Sequence, residues 1–157
     1  MVTLPERVLR ELSKKAESEG GTLEEILNEA VLNYCDVRDP EVRAESHLKL
    51  SEKYLRECEE FLARGDYAQA SEKAWGAASQ MVKAIAARRG MEIRSHGELH
   101  RFVKRLREEF RDEQVSTFWL SAVSLHQNFY ENWLPEDMVR DGVENVKKLV
   151  ERLKRVI

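Results

Sequence analysis

Two long helical patterns joined by a Gly-Asp turn constrain the fold more than any other feature of this chain. From Ala44 to Leu62 apolar residues recur every three or four positions, which predicts a helix with one buried face. Gly65 ends this helix, and Asp66 is the predicted N-cap of a second helix that runs to Gly90. The inner positions of the second helix are mostly alanine, and such small residues let helices approach closely. The pattern therefore predicts a central helical hairpin.

Start and stop signals place further helices on both sides of this hairpin. The helix starts are marked by Pro5, Thr22 with Glu25, Asp39 with Pro40, Ser95 with Glu98, a position near Asp112, and Pro135. Only Val2 to Leu4 has the pattern of a strand. We therefore expect an all-α fold, with a short two-helix N-terminal unit (residues 1–38) before an antiparallel up-and-down helical bundle (residues 39–157).

The apolar stripes of these helices are expected to form the core. The stripes of the first, second and sixth helices include Val8, Leu9, Leu12 and Ala16, then Leu23, Ile26, Leu27, Ala30, Val31 and Tyr34, and then Val115, Phe118, Ala122, Leu125, Phe129 and Tyr130. Trp75, Trp119 and Trp133 are more readily explained as core residues than as a pocket for a base. His47 and His126 also lie on apolar stripes, where we expect satisfied core groups and not metal ligands.

Composition narrows the class of protein. Charged residues of both signs make up 35% of the chain, a pattern typical of solvated helix faces and of thermophiles. The net charge of −3 gives no basic field to recruit nucleic acid or an anionic membrane. Cys35 and Cys58 lack CxxC spacing, which favours buried thiols in a reducing compartment. No signal peptide or span of ~18 apolar residues is present, so we expect a cytoplasmic protein.

The N-terminal segment resembles a ribbon-helix-helix unit. The resemblance rests on Val2-Thr3-Leu4-Pro5, a helix to Glu19, the turn Gly20-Gly21-Thr22 and a helix from Leu23 to Tyr34. It implies that the strand pairs with its counterpart in a second chain, in a family that reads the DNA major groove. Residues 1–36, however, contain four basic and eight acidic side chains, which phosphates repel. We therefore expect dimerisation or packing on the bundle, and no DNA binding.

The hairpin also carries a family pattern. Its residues are Gly65-Asp66-Tyr67, Ala70, Lys73, Ala74-Trp75, Ala78 and Lys83-Ala84, followed by Gly90 and Ser95-His96. From about Glu41 to Ile157 the chain resembles the HEPN-like helical bundles, and it is most similar to their archaeal PaREP-type branch. The resemblance implies a four- or five-helix bundle that is commonly dimeric. Related domains are ribonucleases of toxin–antitoxin pairs, or nucleotide binders that accompany a nucleotidyltransferase, and many have no assigned activity.

The ribonuclease branch of that group suggests two candidate catalytic residues. Its members resemble one another in an Arg-x(4–6)-His motif, where the histidine relays a proton and the arginine stabilises the phosphorane charge. Arg94 to His100 and Arg89 to His96 match the spacing. Neither arginine is followed by the usual Asn or Asp, and a helix cap already explains the local sequence. Arg94 and His100 are the better match because a polar residue follows Arg94.

A basic stretch surrounds these residues. Residues 82–111 contain nine basic and four acidic side chains, and such a stretch near histidines can hold a phosphate. The alternative is that the arginines lie on outer helix faces and pair with acidic neighbours. The candidate phosphate or nucleotide ligands are Arg89, Arg94, His96, Lys83 and Trp75. No glycine-rich phosphate loop, metal-ligand set or cofactor motif is present, so we expect no metal and no cofactor.

The leading hypothesis is a non-catalytic, dimeric HEPN-like binding or interaction module. The alternative is a metal-independent ribonuclease toxin of a toxin–antitoxin pair, with Arg94 and His100 at its active site. We expect a second copy of the chain as partner, with a nucleotidyltransferase or an antitoxin as further candidates, RNA or a nucleotide as ligand, and no membrane association. A tetratricopeptide-like scaffold ranks last, because the sequence from Arg94 onward lacks the second repeat expected at a period of ~34 residues.

Overall fold

The computed structural model describes residues 2–157, which form seven α-helices and no β-strand. The helices are α1 (Glu6–Glu19), α2 (Leu23–Tyr34), α3 (Pro40–Ala63), α4 (Tyr67–Arg88), α5 (His96–Phe110), α6 (Gln114–Glu131) and α7 (Glu136–Lys154). The prediction of an all-α helical bundle is confirmed. Val2 to Leu4 does not form the predicted strand, because the described part of the chain offers no second strand to pair with.

Helix α4 is the buried centre of the bundle. It packs against α3, α5, α6 and α7, and every residue from Ala74 to Ala87 is buried. The approach of α3 is so close that a Cβ atom added to Gly76 would lie 3.0 Å from the ring of Tyr54. The small residues of α4 therefore allow the close helix approach that the sequence predicted, because larger side chains would separate the two backbones.

The N-terminal unit, α1 and α2, is attached to α3 and α4 through polar contacts. Thr22 caps α2 as predicted, since its hydroxyl accepts the backbone N–H of Glu25 at 3.2 Å. The predicted capping box is nevertheless wrong in its second half. The Glu25 carboxylate lies beside Gly21 at the start of the helix, but its hydrogen bonds go to Lys83 and Gln80 of α4, both at 2.7 Å. A buried ammonium group is the stronger partner for a carboxylate.

Much of the apolar stripe of the N-terminal unit stays uncovered. Helix α1 buries only Ala16, and the exposed fractions of Val8, Val31 and Tyr34 are 42%, 60% and 93%. The prediction that these three residues are buried is therefore wrong for the single chain, because no element of residues 2–157 covers their side chains. The domain boundary near residue 38 stays a prediction.

The last turn of α6 also differs from the prediction. Tyr130 and Trp133 are 67% and 59% exposed, whereas Trp75 and Trp119 are each 4% exposed. Helix α6 ends at Glu131, so the two exposed rings lie at its end, beyond the packed centre of the bundle. Trp133 is therefore not the core residue that the sequence indicated.

The two cysteines have different environments. Cys58 of α3 is buried, and burial raises the pKa of its thiol to about 12. Cys35 follows α2 and is exposed, so the prediction of two buried thiols is wrong for this residue. Across residues 2–157, none of the helices combines the length and the apolar character needed to cross a lipid bilayer.

Candidate functional site: a histidine–tryptophan cluster

Three histidines from two helices meet at one edge of the bundle. His96 and His100 lie one turn apart at the start of α5, and His126 lies in α6. The ring centroid of His96 is 5.4 Å from that of His126 and 6.5 Å from that of His100. His96 and His100 are exposed, and the side chain of His126 is 23% exposed. All three imidazoles are therefore open to solvent.

Two buried tryptophans position these histidines. The ring of Trp75 in α4 stacks on that of His126, with centroids 4.7 Å apart and an interplanar angle of 21°. The indole Nε1 of Trp119 in α6 donates to Nδ1 of His100 at 2.9 Å. Because an indole N–H can only donate, Nδ1 of His100 is an acceptor, and the neutral ring carries its proton on Nε2.

A carboxylate orients the third histidine. Nδ1 of His126 lies 2.9 Å from Oε2 of Glu72, which precedes Trp75 by one turn of α4. Since an ionised carboxylate only accepts, Nδ1 donates, and Nε2 of the neutral ring is free to accept a proton. The prediction that His126 is a satisfied group is confirmed, but it lies at the edge of the core and not inside it. We refer to Glu72, Trp75, His96, His100, Trp119 and His126 as the histidine–tryptophan cluster.

The surroundings of His96 lower its pKa. Partial burial lowers the pKa of its imidazole, and the nearby His126, His100 and Lys83 lower it further. Its ring also touches the turn between α1 and α2, because a Cβ atom added to Gly20 would lie 2.6 Å from Cδ2 of His96. The N-terminal unit therefore covers one side of the cluster.

The sequence predicted only part of this site. Trp75, His96 and His100 were candidates, and the structure brings them together. Glu72, Trp119 and His126 were missed as site residues, because they come from separate helices. The one sequence signal for His126 was its polar ring on an otherwise apolar stripe.

The arginine candidates lie outside the cluster. Arg89 forms a bidentate pair with Glu109, with both N–O distances at 2.9 Å. Arg94 is exposed and donates through Nη2 to Glu92 at 2.7 Å. Within residues 2–157 it makes no polar contact with His100. The Arg-x(5)-His pair that the spacing suggested is therefore not assembled in the single chain.

Most of the basic stretch is paired with carboxylates, as the alternative interpretation expected. Lys83, a candidate ligand, is buried and bound to Glu25 at 2.7 Å. Among the described residues, three basic side chains of the stretch have no carboxylate within 4.0 Å, and these are Arg101, Arg105 and Arg111. All three are exposed on α5 or at its end. They are the part of the stretch that remains able to contact an anionic ligand.

The geometry defines a class, an all-α helical-bundle protein with an exposed histidine–tryptophan cluster. The family model of the archaeal PaREP1/PaREP8 family matches residues 46–150, about two thirds of the chain, and the chain belongs to this family. It is also similar to a protein from Sulfolobus solfataricus known from a crystal structure. The identity is 31%, the TM-score is 0.60, and the match covers 68% of this chain and 94% of that one. A comparison with curated proteins gives no match.

Proposed function

We propose that this protein is a homodimeric, HEPN-like binding module that holds a phosphate-bearing ligand, a nucleotide or RNA, at the histidine–tryptophan cluster. The observation that carries the proposal is the convergence of His96, His100 and His126 at one exposed edge. A neutral His100 offers its Nε2 proton to a phosphate oxygen, because Nδ1 is engaged by Trp119. Trp75 is only 4% exposed and its ring stacks on that of His126, so it supports His126 and does not stack on a base.

The surroundings of the cluster favour an anionic ligand. His96 is the first residue of α5, and the N-terminal end of a helix attracts negative charge. Arg101, Arg105 and Arg111 continue along the same helix and its end without carboxylate partners among residues 2–157. Together these groups suit a ligand with more than one phosphate. The affinity for such a ligand should fall as the salt concentration rises.

Binding can be measured by fluorescence anisotropy with a labelled single-stranded RNA and, separately, with a labelled ATP analogue. We expect the double variant His96→Gln/His100→Gln to bind about tenfold or more weakly, since each tenfold change corresponds to about 1.4 kcal/mol. Arg10→Gln is the matched control, because Arg10 is an exposed basic residue of α1 that pairs with Glu6. Equal affinity of the double variant and the control would exclude the cluster as the site.

A second copy of the chain is the partner that best fits the N-terminal unit. Val8, Val31 and Tyr34 leave apolar surface exposed in the single chain. Val2 to Leu4 precedes α1 without a strand partner in the described residues, and such a segment can pair with its counterpart in another chain. Burial of this surface between two copies would remove it from water.

Light scattering coupled to size-exclusion chromatography tests the dimer. We expect twice the mass of the 18.3 kDa chain at micromolar concentration. Val31→Glu should shift the protein towards monomer, because it places a charge in the proposed interface. The control Lys154→Glu reverses an exposed charge of α7, a helix that packs on α4 and α6, and should leave the mass unchanged. A wild-type protein that is monomeric at every concentration contradicts the dimer.

A metal-independent ribonuclease is the second candidate, and one observation favours it. Glu72 holds His126 with Nε2 available as a base, while His100 presents an Nε2 proton. His126 can therefore take the proton of an attacking 2′-hydroxyl, and the Nε2–H of His100 can hydrogen-bond a phosphate oxygen as negative charge develops on it. The 5′-oxygen then leaves with a proton taken from water. The test is to incubate RNA with the wild type, His100→Ala or His126→Ala and to measure the loss of intact RNA. A ribonuclease of this kind predicts cleavage by the wild type that each variant loses. If the wild type cleaves no more RNA than these variants, the protein is not a nuclease of this kind.

A further inference from the structure

A cavity of about 510 Å³ lies between the N-terminal unit and the α3–α4 hairpin, apart from the histidine–tryptophan cluster. Its size falls within the range of roughly 300–1,000 Å³ typical of small-molecule sites. The walls combine apolar side chains with ionised groups of both signs. The apolar part includes Ile26 of α2 together with Met91 and Ile93 of the segment that follows α4. The cavity therefore suits a molecule with an apolar part and polar ends.

Hydrogen bonds in the wall determine the tautomer of His47. Nε2 of Gln80 donates to Oε2 of Glu25 at 2.7 Å, which fixes the orientation of the Gln80 amide. Oε1 of Gln80 therefore faces Nδ1 of His47, at 2.7 Å, and accepts from it. With its proton on Nδ1, the neutral imidazole has an unprotonated nitrogen at Nε2.

This Nε2 atom is an acceptor with no hydrogen-bond partner among residues 2–157, and His47 is only 7% exposed. Oε1 of Glu29 lies 3.6 Å from it. This distance is too long for a hydrogen bond, and an ionised carboxylate oxygen is itself an acceptor. Oε2 of Glu29 is already bound to Arg43 at 2.8 Å. His47 and Glu29 thus leave a place at the cavity wall for a donor that bonds to both.

Positively charged hydrogen-bond donors are present in the same cavity wall. The Nζ atom of Lys83 has three donors but only one hydrogen-bond partner among the described residues, Glu25. The side chain of Arg94 also lines the cavity and uses only Nη2, in its pair with Glu92. Lys83 and Arg94 therefore have N–H groups left for an anionic ligand group.

We propose that this cavity binds a small zwitterion of the amino-acid class. The ligand ammonium donates to Nε2 of His47 and Oε1 of Glu29, the ligand carboxylate accepts from Lys83 and Arg94, and an apolar side chain contacts Met91. A zwitterion preserves the local charge balance, whereas a ligand with a single charge would bring an uncompensated charge next to the buried side chains of His47 and Lys83. This inference does not depend on the function proposed for the histidine–tryptophan cluster.

Isothermal titration calorimetry with the full chain tests the proposal. The probes are L-leucine, L-methionine and L-phenylalanine, each compared with the amine that lacks its carboxylate and the acid that lacks its amino group. We expect saturable binding of at least one amino acid and at least about tenfold weaker binding of both its analogues. No saturable binding of any of the three amino acids overturns the proposal, and so does equal binding of either analogue.

Two variants locate the site. Glu29→Gln should weaken binding at least about tenfold, because it removes the charge beside the ammonium. Glu24→Gln is its matched control, since Glu24 lies on the same helix, does not line the cavity and pairs with Lys53. Ala30→Trp enlarges an exposed residue of the cavity wall and leaves the hydrogen bonds in place, so it should weaken binding by filling part of the cavity. This variant tests the site even if Glu29→Gln folds poorly. Unchanged binding in Ala30→Trp overturns the assignment.

Discussion

Oε1 of Glu25 in α2 lies 2.7 Å from Nζ of Lys83 in α4, and these side chains are only 7% and 5% exposed. This ion pair joins the N-terminal unit to the buried centre of the bundle. Removal of both charges from water is costly, so the pair persists only while each partner compensates the other. Gln80 assists by donating to the second carboxylate oxygen of Glu25.

Lys83→Met should therefore lower the free energy of unfolding by roughly 3–5 kcal/mol, because it leaves the Glu25 carboxylate buried without its counter-charge. The measurement is urea denaturation at pH 7. The matched control is Lys53→Met, since Lys53 and Glu24 form a half-exposed pair between α3 and α2. That change should cost at most about 1 kcal/mol. If both variants lose the same free energy of unfolding, the buried pair contributes no more to stability than the exposed one. The double variant Glu25→Leu/Lys83→Met, which removes both charges, should recover most of the stability lost in Lys83→Met.

Gly20→Ala should be more destabilising than Gly65→Ala. Both glycines have left-handed backbone, with φ of 68° and 75°, so alanine costs about 1–2 kcal/mol at either position. Only at Gly20 does the new Cβ atom meet another group, His96 at 2.6 Å, while nothing lies within 4 Å at Gly65. We expect an additional loss of about 0.5–1.5 kcal/mol for Gly20→Ala in urea denaturation, because the imidazole must move out of its preferred rotamer.

The same contact can be isolated by a double-mutant cycle. In a His96→Ala background the additional loss caused by Gly20→Ala should largely disappear, because the clashing ring is gone. An additional loss that persists in this background would show that the α1–α2 turn does not pack on His96.

His96 should titrate below the ordinary histidine pKa of about 6.5. Burial lowers its pKa, and the neighbouring His126, His100 and Lys83 add to the effect. The unfolded chain therefore binds more protons at this residue than the folded chain between the two pKa values. Protonation of His96 therefore lowers the free energy of unfolding. The full stability is present above about pH 6.5, and the part that depends on a neutral His96 is lost as the pH falls through the pKa of the folded state.

Nuclear magnetic resonance of the imidazole resonances, assigned with His96→Gln, measures that pKa directly. His96→Gln should also flatten the fall in stability as the pH drops below about 6.5. A His96 midpoint at or above the ordinary value contradicts the electrostatic picture of the cluster.

Thiol reactivity should separate the two cysteines. Cys35 is exposed, whereas burial raises the pKa of Cys58 to about 12 and withholds its thiolate. With an aromatic disulfide reagent at pH 8, one thiol should react at once in the folded protein, and the second should react only in denaturant. Cys35→Ser should abolish the fast reaction and Cys58→Ser should not. A fast reaction of Cys58 would show that α3 is not packed as described.

Periodicity and capping residues were sufficient to predict the helices. All seven helices were predicted, and the alanine stripe of α4 indicated which one would be buried, because helix formation and amphipathic burial depend on residues three or four positions apart. The predicted burial of Val8, Val31 and Tyr34 was wrong, because a stripe shows that a face is apolar but not whether the same chain covers it.

The hairpin from Ala44 to Gly90 and the family were therefore accessible from sequence alone, since turn, cap and packing residues are local signals. Only the tertiary structure placed Glu72, Trp119 and His126 beside His96 and His100, and only it turned Glu25 from a predicted cap into the partner of Lys83. These contacts join residues far apart in the chain. Their formation depends on how helices pack against one another, and a pattern within one helix carries no information about the side chains of its neighbours.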